Sequence, residues 1–147
     1  MELPQPTAEH EFLKRFTGDW KVTHEQMAGT EHGRMMGDVW LLLEGRGLES
    51  EGGHNYLFTI GFDTRKGKFV GSFVCNMTTE IWVYEGELEG EKLVLRTRGQ
   101  AFDGSGEANF RDSFFFEGSE RILTSHMEQP DGTWVEFMRA SSTPASL

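Results

Sequence analysis

Cysteine and proline are scarce in this chain: among 147 residues there is one cysteine, Cys75, and four prolines. A single thiol forms no internal bridge, so stability has to come from a packed core. A chain of this size buries about 70% of the surface its unfolded form exposes, enough to fold without disulfides or a structural metal. Long apolar runs are missing too. No window approaches the roughly 20 apolar residues of a membrane-spanning helix. Met1 to Pro6 has neither a basic n-region nor an apolar h-region. These absences predict a cytoplasmic protein, and they make the match of Asn76-Met77-Thr78 to the glycosylation pattern accidental. Basic charge is in deficit: 14 Lys and Arg face 24 Asp and Glu, for a formal charge of −10. Such a surface repels phosphate backbones and anionic lipids, which argues against nucleic acid and membranes as partners. The densest basic stretch, Arg65-Lys66-Gly67-Lys68, reads as a solvated turn. Catalytic signatures are missing as well. No His-Glu-x-x-His or paired Cys/His spacing is present, and Ser72, Ser113 and Ser125 lack a Gly-x-Ser-x-Gly elbow. Neither a metal nor a cofactor is expected, haem included, because a lone His126 late in the chain is poor grounds for an axial ligand.

What the sequence does contain is a change of period. Thr7 is suited to cap a helix over 8–16, where Phe12, Leu13 and Phe16 share one face. From Asp19 onward the period is two, and turn residues recur every 8 to 12 residues or so. Strands are expected at 19–27, 32–43, 46–52, 55–63, 68–76, 79–86, 91–99, 107–116, 121–128 and 133–140, followed by a flexible tail over 141–147. Asp63 to Gly67, Gly86 to Gly90 and Pro130-Asp131-Gly132 supply tight turns, and Phe102 to Gly106 a looser glycine-rich loop. The composition does not shift along the chain, so 1–147 reads as one domain. About ten twisted strands leave two exposed edges unless the sheet closes. The expected fold is therefore all-β, a closed antiparallel barrel with a short N-terminal helix; a two-sheet sandwich is the alternative.

Gly18-Asp19-Trp20, placed after a short helix and opening the first strand, resembles the Gly-x-Trp signature of lipocalins and other calycins. Gly61-Phe62-Asp63-Thr64-Arg65-Lys66-Gly67-Lys68-Phe69-Val70-Gly71, Tyr84 to Gly90, and Pro130-Asp131-Gly132 before a strand reaching Arg139 extend the likeness over nearly the whole chain. Together they resemble the uncharacterised bacterial family known as domain of unknown function 1579. The resemblance implies a calycin-like barrel and no reaction. Phe62 stands where the family's Gly-Tyr-Asp element carries tyrosine.

Candidate site residues follow from which face of each strand they occupy. Trp20, Val22, His24 and Gln26 share one face of the first strand, which turns His24 inward. His10, His32 and His54 are expected in solvent. A cluster of His24, His126 and Glu136 needs all three to face inward. The phases of their strands stay open, since Leu123 and Met127 compete with Ile122 and His126 for the core. Cys75 reads as a small buried hydrophobe. Eighteen aromatic residues, twelve of them Phe, are the strongest remaining feature. Ala108, Phe110, Asp112, Phe114 and Phe116 share one face, as do Tyr56, Phe58, Ile60 and Phe62 on another strand.

Such walls either fill a barrel or line a ligand cavity. The leading expectation is non-catalytic binding of a small apolar ligand, with Phe58, Phe73, Trp82 and Phe114 as walls and His24 and Arg98 as polar contacts. An enzyme using His24 or Glu136 as acid or base is one alternative. A structural protein with a filled barrel, dimerising through an exposed aromatic face, is another. Trp20 is expected to plug one end with Arg139 stacked on it, and a cavity to open at the other end, near Phe102 to Gly106 and the strand ends at Gln26 and Asn76.

Overall fold

The computed structural model describes residues 1–25, 27–47 and 53–145. The chain starts with helix α1 (Ala8–Leu13), continued by a 3-10 turn over Lys14–Phe16. Thr7 caps α1 in a reciprocal box with His10. The Thr7 amide donates to His10 Nδ1 at 2.9 Å, so the ring proton sits on Nε2, which donates to the Phe62 carbonyl at 3.1 Å. His10 is consequently buried rather than solvated. It pins the helix across the mouth of the strand that carries Phe62, because both ring nitrogens have partners.

Ten strands follow: β1 (Gly18–His24), β2 (Met27–Met36), β3 (Trp40–Gly47), β4 (Asn55–Asp63), β5 (Lys68–Cys75), β6 (Trp82–Glu89), β7 (Lys92–Gln100), β8 (Glu107–Glu117), β9 (Glu120–Glu128) and β10 (Trp134–Pro144). Each is antiparallel to its sequence neighbour, and β10 returns to β1, with Trp20 opposite Pro144 and His24 opposite Ala140. The result is a closed barrel with no free edge.

Several boundaries differ from the sequence expectation: β1 ends at His24 rather than at 27, β2 starts at Met27 rather than at 32, and β6 starts at Trp82 rather than at 79. The strand expected over 32–43 is two strands, because the chain turns at Gly37, whose φ of +65° belongs to the left-handed region that glycine tolerates. The apolar run from Val39 to Leu43 masks that turn. Arg46 and Gly47, expected to open a separate strand over 46–52, are instead the end of β3, and 48–52 lie outside the described residues. The turn expected over Gly86 to Gly90 is confined to its end, since Gly86 lies within β6. The expected tail also shortens: Ser141 to Pro144 belong to β10 and pair with β1. The Asp63 to Gly67 turn forms as its residues dictate, with Asp63 Oδ1 accepting from the Arg65 and Lys66 amides at 2.9 and 3.1 Å.

The end of the barrel under α1 is filled. Leu13, Phe16, Leu41, Leu43, Ile60, Phe69, Leu93, Leu95 and Phe114 are essentially inaccessible there. Phe16 packs edge-on against Phe114 and Phe116, with centroids 5.4 and 5.3 Å apart. Towards the other end, aromatic rings lie over glycines of the adjacent strand. A Cβ on Gly45 would come within 1.9 Å of the Tyr56 ring.

Gly45→Ala therefore has to displace Tyr56. The variant is expected to lose about 1–3 kcal/mol by overpacking, measured as a lower midpoint in urea unfolding. An unchanged midpoint would mean that the ring moves aside freely.

Candidate functional site

The half of the barrel away from α1 is hollow. A cavity of about 440 Å³ runs into it from the end where β1 meets β2, and its wall includes Phe102 of the 102–106 loop. Gln26, one of the expected rim positions, lies outside the described residues. The inward faces of all ten strands contribute to the wall, among them Val22, Tyr56, Phe58, Phe73, Trp82, Tyr84, Phe110, Phe114 and Leu123. Phe58 stands at the centre of the aromatic lining, 4.6 Å from Phe73, 5.7 Å from Phe114 and 6.0 Å from Tyr84. Trp82 meets Phe110 edge-on at 5.3 Å. His24 lines the cavity near its mouth, as do His54 and Cys75.

Two of the residues proposed from sequence lie elsewhere. Arg98 is on the outer face, 56% exposed, bonded to Asn109 and paired with Glu107. The alternation of β7 sends Thr97 to the cavity and its neighbour to water. Arg139 is equally exposed and pairs with Glu136, also outside, at 3.1 Å. A bulge between Glu136 and Met138 changes the phase of β10, so Phe137 and Met138 both line the cavity and Arg139 turns away. His126 is on the outer side of β9, 3.9 Å from Glu136. Leu123 and Ser125 hold the inner phase. The cluster of His24, His126 and Glu136 does not assemble.

The cation on Trp20 is Arg121, the second residue of β9. Its guanidinium lies 4.6 Å from the Trp20 ring, 5.2 Å from Phe16 and 5.9 Å from Phe114. It is 3% exposed and ion-paired to Glu31, which is 5% exposed. Tyr56 donates to the second oxygen of Glu31 at 2.5 Å, and Arg121 donates to Ser142 Oγ at 3.4 Å. Among the described residues Arg121 Nη1 finds no hydrogen-bond acceptor, so the surrounding ring faces take its place. Trp20 itself donates its indole N–H to the Phe16 carbonyl at 3.0 Å. This network forms the floor of the cavity. Two buried charges of opposite sign leave it neutral, and burial together with the negative charge of Glu31 pushes the Tyr56 hydroxyl well above its usual range, keeping it protonated.

A second polar group sits in the wall. Asp112, between Phe110 and Phe114 on the inner face of β8, lines the cavity and accepts a hydrogen bond from Tyr84 at 2.8 Å. Burial raises its pKa above the ordinary carboxylate value; hydrogen bonds from Ser125 and Tyr84 oppose the rise without cancelling it. Neither Asp112 nor the floor was proposed from sequence as a site. Asp112 was visible as a lone carboxylate on a phenylalanine face. Arg121 shares the phase of Leu123 and Ser125, so fixing that phase would have revealed it. Among the described residues, no group of three or more His, Cys, Asp or Glu is arranged to hold a metal ion, and no helix is long and apolar enough to cross a membrane.

Removing the Arg121 side chain leaves Glu31 buried and unpaired. Arg121→Met is expected to destabilise by about 3–5 kcal/mol, whereas Arg139→Ala, which loses an exposed pair, should barely shift the thermal midpoint. Equal midpoints for the two variants would show that the floor is not structural. Asp112→Asn yields a pH-dependent outcome. The folded pKa of Asp112 is raised, so its stabilising contribution is complete below the unfolded value of about 3.9 and is lost as pH rises through the folded value. Asparagine imitates the protonated form. The variant should match wild type near pH ~4 and melt higher at neutral pH, which thermal scans across that range would reveal.

Comparison with known proteins agrees with the resemblance to the family of unknown function. Curated proteins give no match to the chain. The family described as Protein of unknown function (DUF1579) matches residues 5–143, from the helix cap into β10, and the chain belongs to that family.

Proposed function

We propose that this protein is a non-catalytic, calycin-like binder of a small, largely apolar molecule, held inside the barrel and working in the cytoplasm. The observation that carries this reading is the cavity itself: about 440 Å³ of space walled by aromatic and aliphatic side chains, within the roughly 300–1,000 Å³ typical of ligand sites. Close packing is the default for protein interiors, and void walls forfeit dispersion contacts. A sequence that fills one half of its barrel with nine inaccessible side chains and leaves the other half empty has a use for the space. An occupant gains about 25 cal/mol for each Å² of apolar surface taken from water.

The enzyme reading is weaker. Glu136, one of its two acid–base candidates, stands outside the barrel beside Arg139. His24 is left at the mouth without the other two members of its expected cluster. The filled-barrel reading has to account for the same empty half.

Titration with Nile red, a neutral apolar dye, tests the proposal. Wild type should enhance the dye's fluorescence saturably. Thr97→Trp, which puts an indole into the cavity from the middle of β7, should weaken binding by at least about ten-fold while leaving the circular dichroism of the barrel intact. No saturable binding by wild type, or undiminished binding by the variant, would overturn the reading.

A further inference from the structure

We propose that the ligand of this cavity is an amphipathic organic cation, an apolar amine whose ammonium pairs with Asp112 while its hydrocarbon body lies among Phe58, Trp82 and Phe110. This inference rests on the binding function proposed above and adds the ligand's chemical class. It starts from a count of charge inside the barrel. Glu31 and Arg121 satisfy each other at the floor, and Tyr56 completes the carboxylate's hydrogen bonds. Arg46, His24 and His54 contribute to the wall only towards the mouth. Asp112 differs from all of these. Its hydrogen-bond partners are two neutral hydroxyls, Tyr84 and Ser125; among the described residues no ion pair includes it, and His126, on the outer side of β9, adds a weaker attraction than either hydrogen bond.

A carboxylate in an apolar wall without a counter-ion is costly. Either it keeps a proton, or an incoming cation neutralises it. Burial raises the pKa of Asp112 and so marks the same unmet demand for positive charge. An ammonium ion meets that demand, whereas a ligand carboxylate would place a second negative charge beside the first. The walls agree with this choice. Tyr84 reaches Asp112 with its hydroxyl, Phe58 lies 6.0 Å from the Tyr84 ring, and Phe110 shares the Asp112 face of β8; ring faces attract a desolvated cation. The chain's charge of −10 also raises the local concentration of organic cations over that of anions.

Three naphthyl probes of matched shape separate the alternatives: 2-naphthylmethylamine, 2-naphthalenemethanol and 2-naphthoate, each titrated calorimetrically into the full-length protein near neutral pH. The amine should bind at least about ten-fold more tightly than the alcohol, the range of a hydrogen bond to a charged group, and 2-naphthoate should bind weakest. Asp112→Asn, close to isosteric, should keep the alcohol's affinity and reduce the amine to the same level. Wild type alone offers a second measurement. Acidification protonates Asp112 and should erase the amine's advantage. Tyr84 on β6 stays neutral throughout that range, Leu95 on β7 does not titrate, and His126 on β9 gains positive charge that also opposes the amine. Arg111 on β8 lies over the Trp134 ring. Equal binding of amine and alcohol, tightest binding of 2-naphthoate, or an amine preference surviving in Asp112→Asn would overturn the cation assignment and leave the binding function standing. Failure of all three probes together with Nile red would overturn both.

Discussion

A barrel's width is fixed by its strand number, and that constraint governs the rest of this structure. Eight strands enclose a lumen that their own inward side chains fill, or nearly so. Ten enclose more. The surplus has to be plugged, flattened or left open, and this chain does two of these at opposite ends. Helix α1 and the 3-10 turn push Leu13 and Phe16 into one end, where Phe12 meets Phe69 of β5 and Phe16 meets Phe114 of β8. No second helix serves the other end among the described residues, and the lumen there stays hollow. Closure through β1 and β10 makes the arrangement stable, because an open sheet of the same strands would flatten and expose two edges.

The floor between the two halves shows why buried charge is tolerated. Arg121 gains an ion pair with Glu31, a hydrogen bond to Ser142 and three ring faces. Each partner comes from a different part of the barrel: Glu31 from β2, Ser142 from β10, Phe114 from β8 and Trp20 from β1. One guanidinium therefore ties together strands distant in sequence. A hydrophobic replacement of the whole set could be as stable, but it would lack the directional bonds that tie β9 to β2 across the lumen and to β10 beside it.

Most of the barrel was legible in the sequence because its signals are local. Period two, the Asp63 to Gly67 turn and the Thr7 cap each depend on residues within a few positions of one another, and each formed. The turn at Gly37 was hidden because Val39 to Leu43 read as a continuation of strand. The site was less legible, for a different reason. Which cation reaches Trp20 depends on a bulge in β10 and on the register of β9, and both are properties of paired strands. Arg139 was the natural choice by distance along the chain, and the bulge turned it outward. The aromatic wall at Phe58, Phe73, Trp82 and Phe114 needed only alternation to be placed on the inner face. Asp112 was visible among phenylalanines, but its significance depends on Tyr84, whose hydroxyl reaches it from β6 across β7.

The contrast between floor and wall separates structural from functional polarity. At the floor, every buried charge has an opposite charge within the chain, and the network is closed to 97% of the surface its side chains would otherwise expose at Arg121. In the wall, Asp112 has hydroxyls but, among the described residues, no ion-pair partner, and it keeps some accessible surface within the cavity. Selection for stability alone would replace such a carboxyl with the amide that imitates its protonated form, because the native state is disfavoured wherever the group must ionise. A group that works against the fold at neutral pH and faces empty space has its compensation outside the chain. The hollow and the unpaired carboxyl are thus two aspects of one unfilled requirement, the first for apolar volume and the second for positive charge.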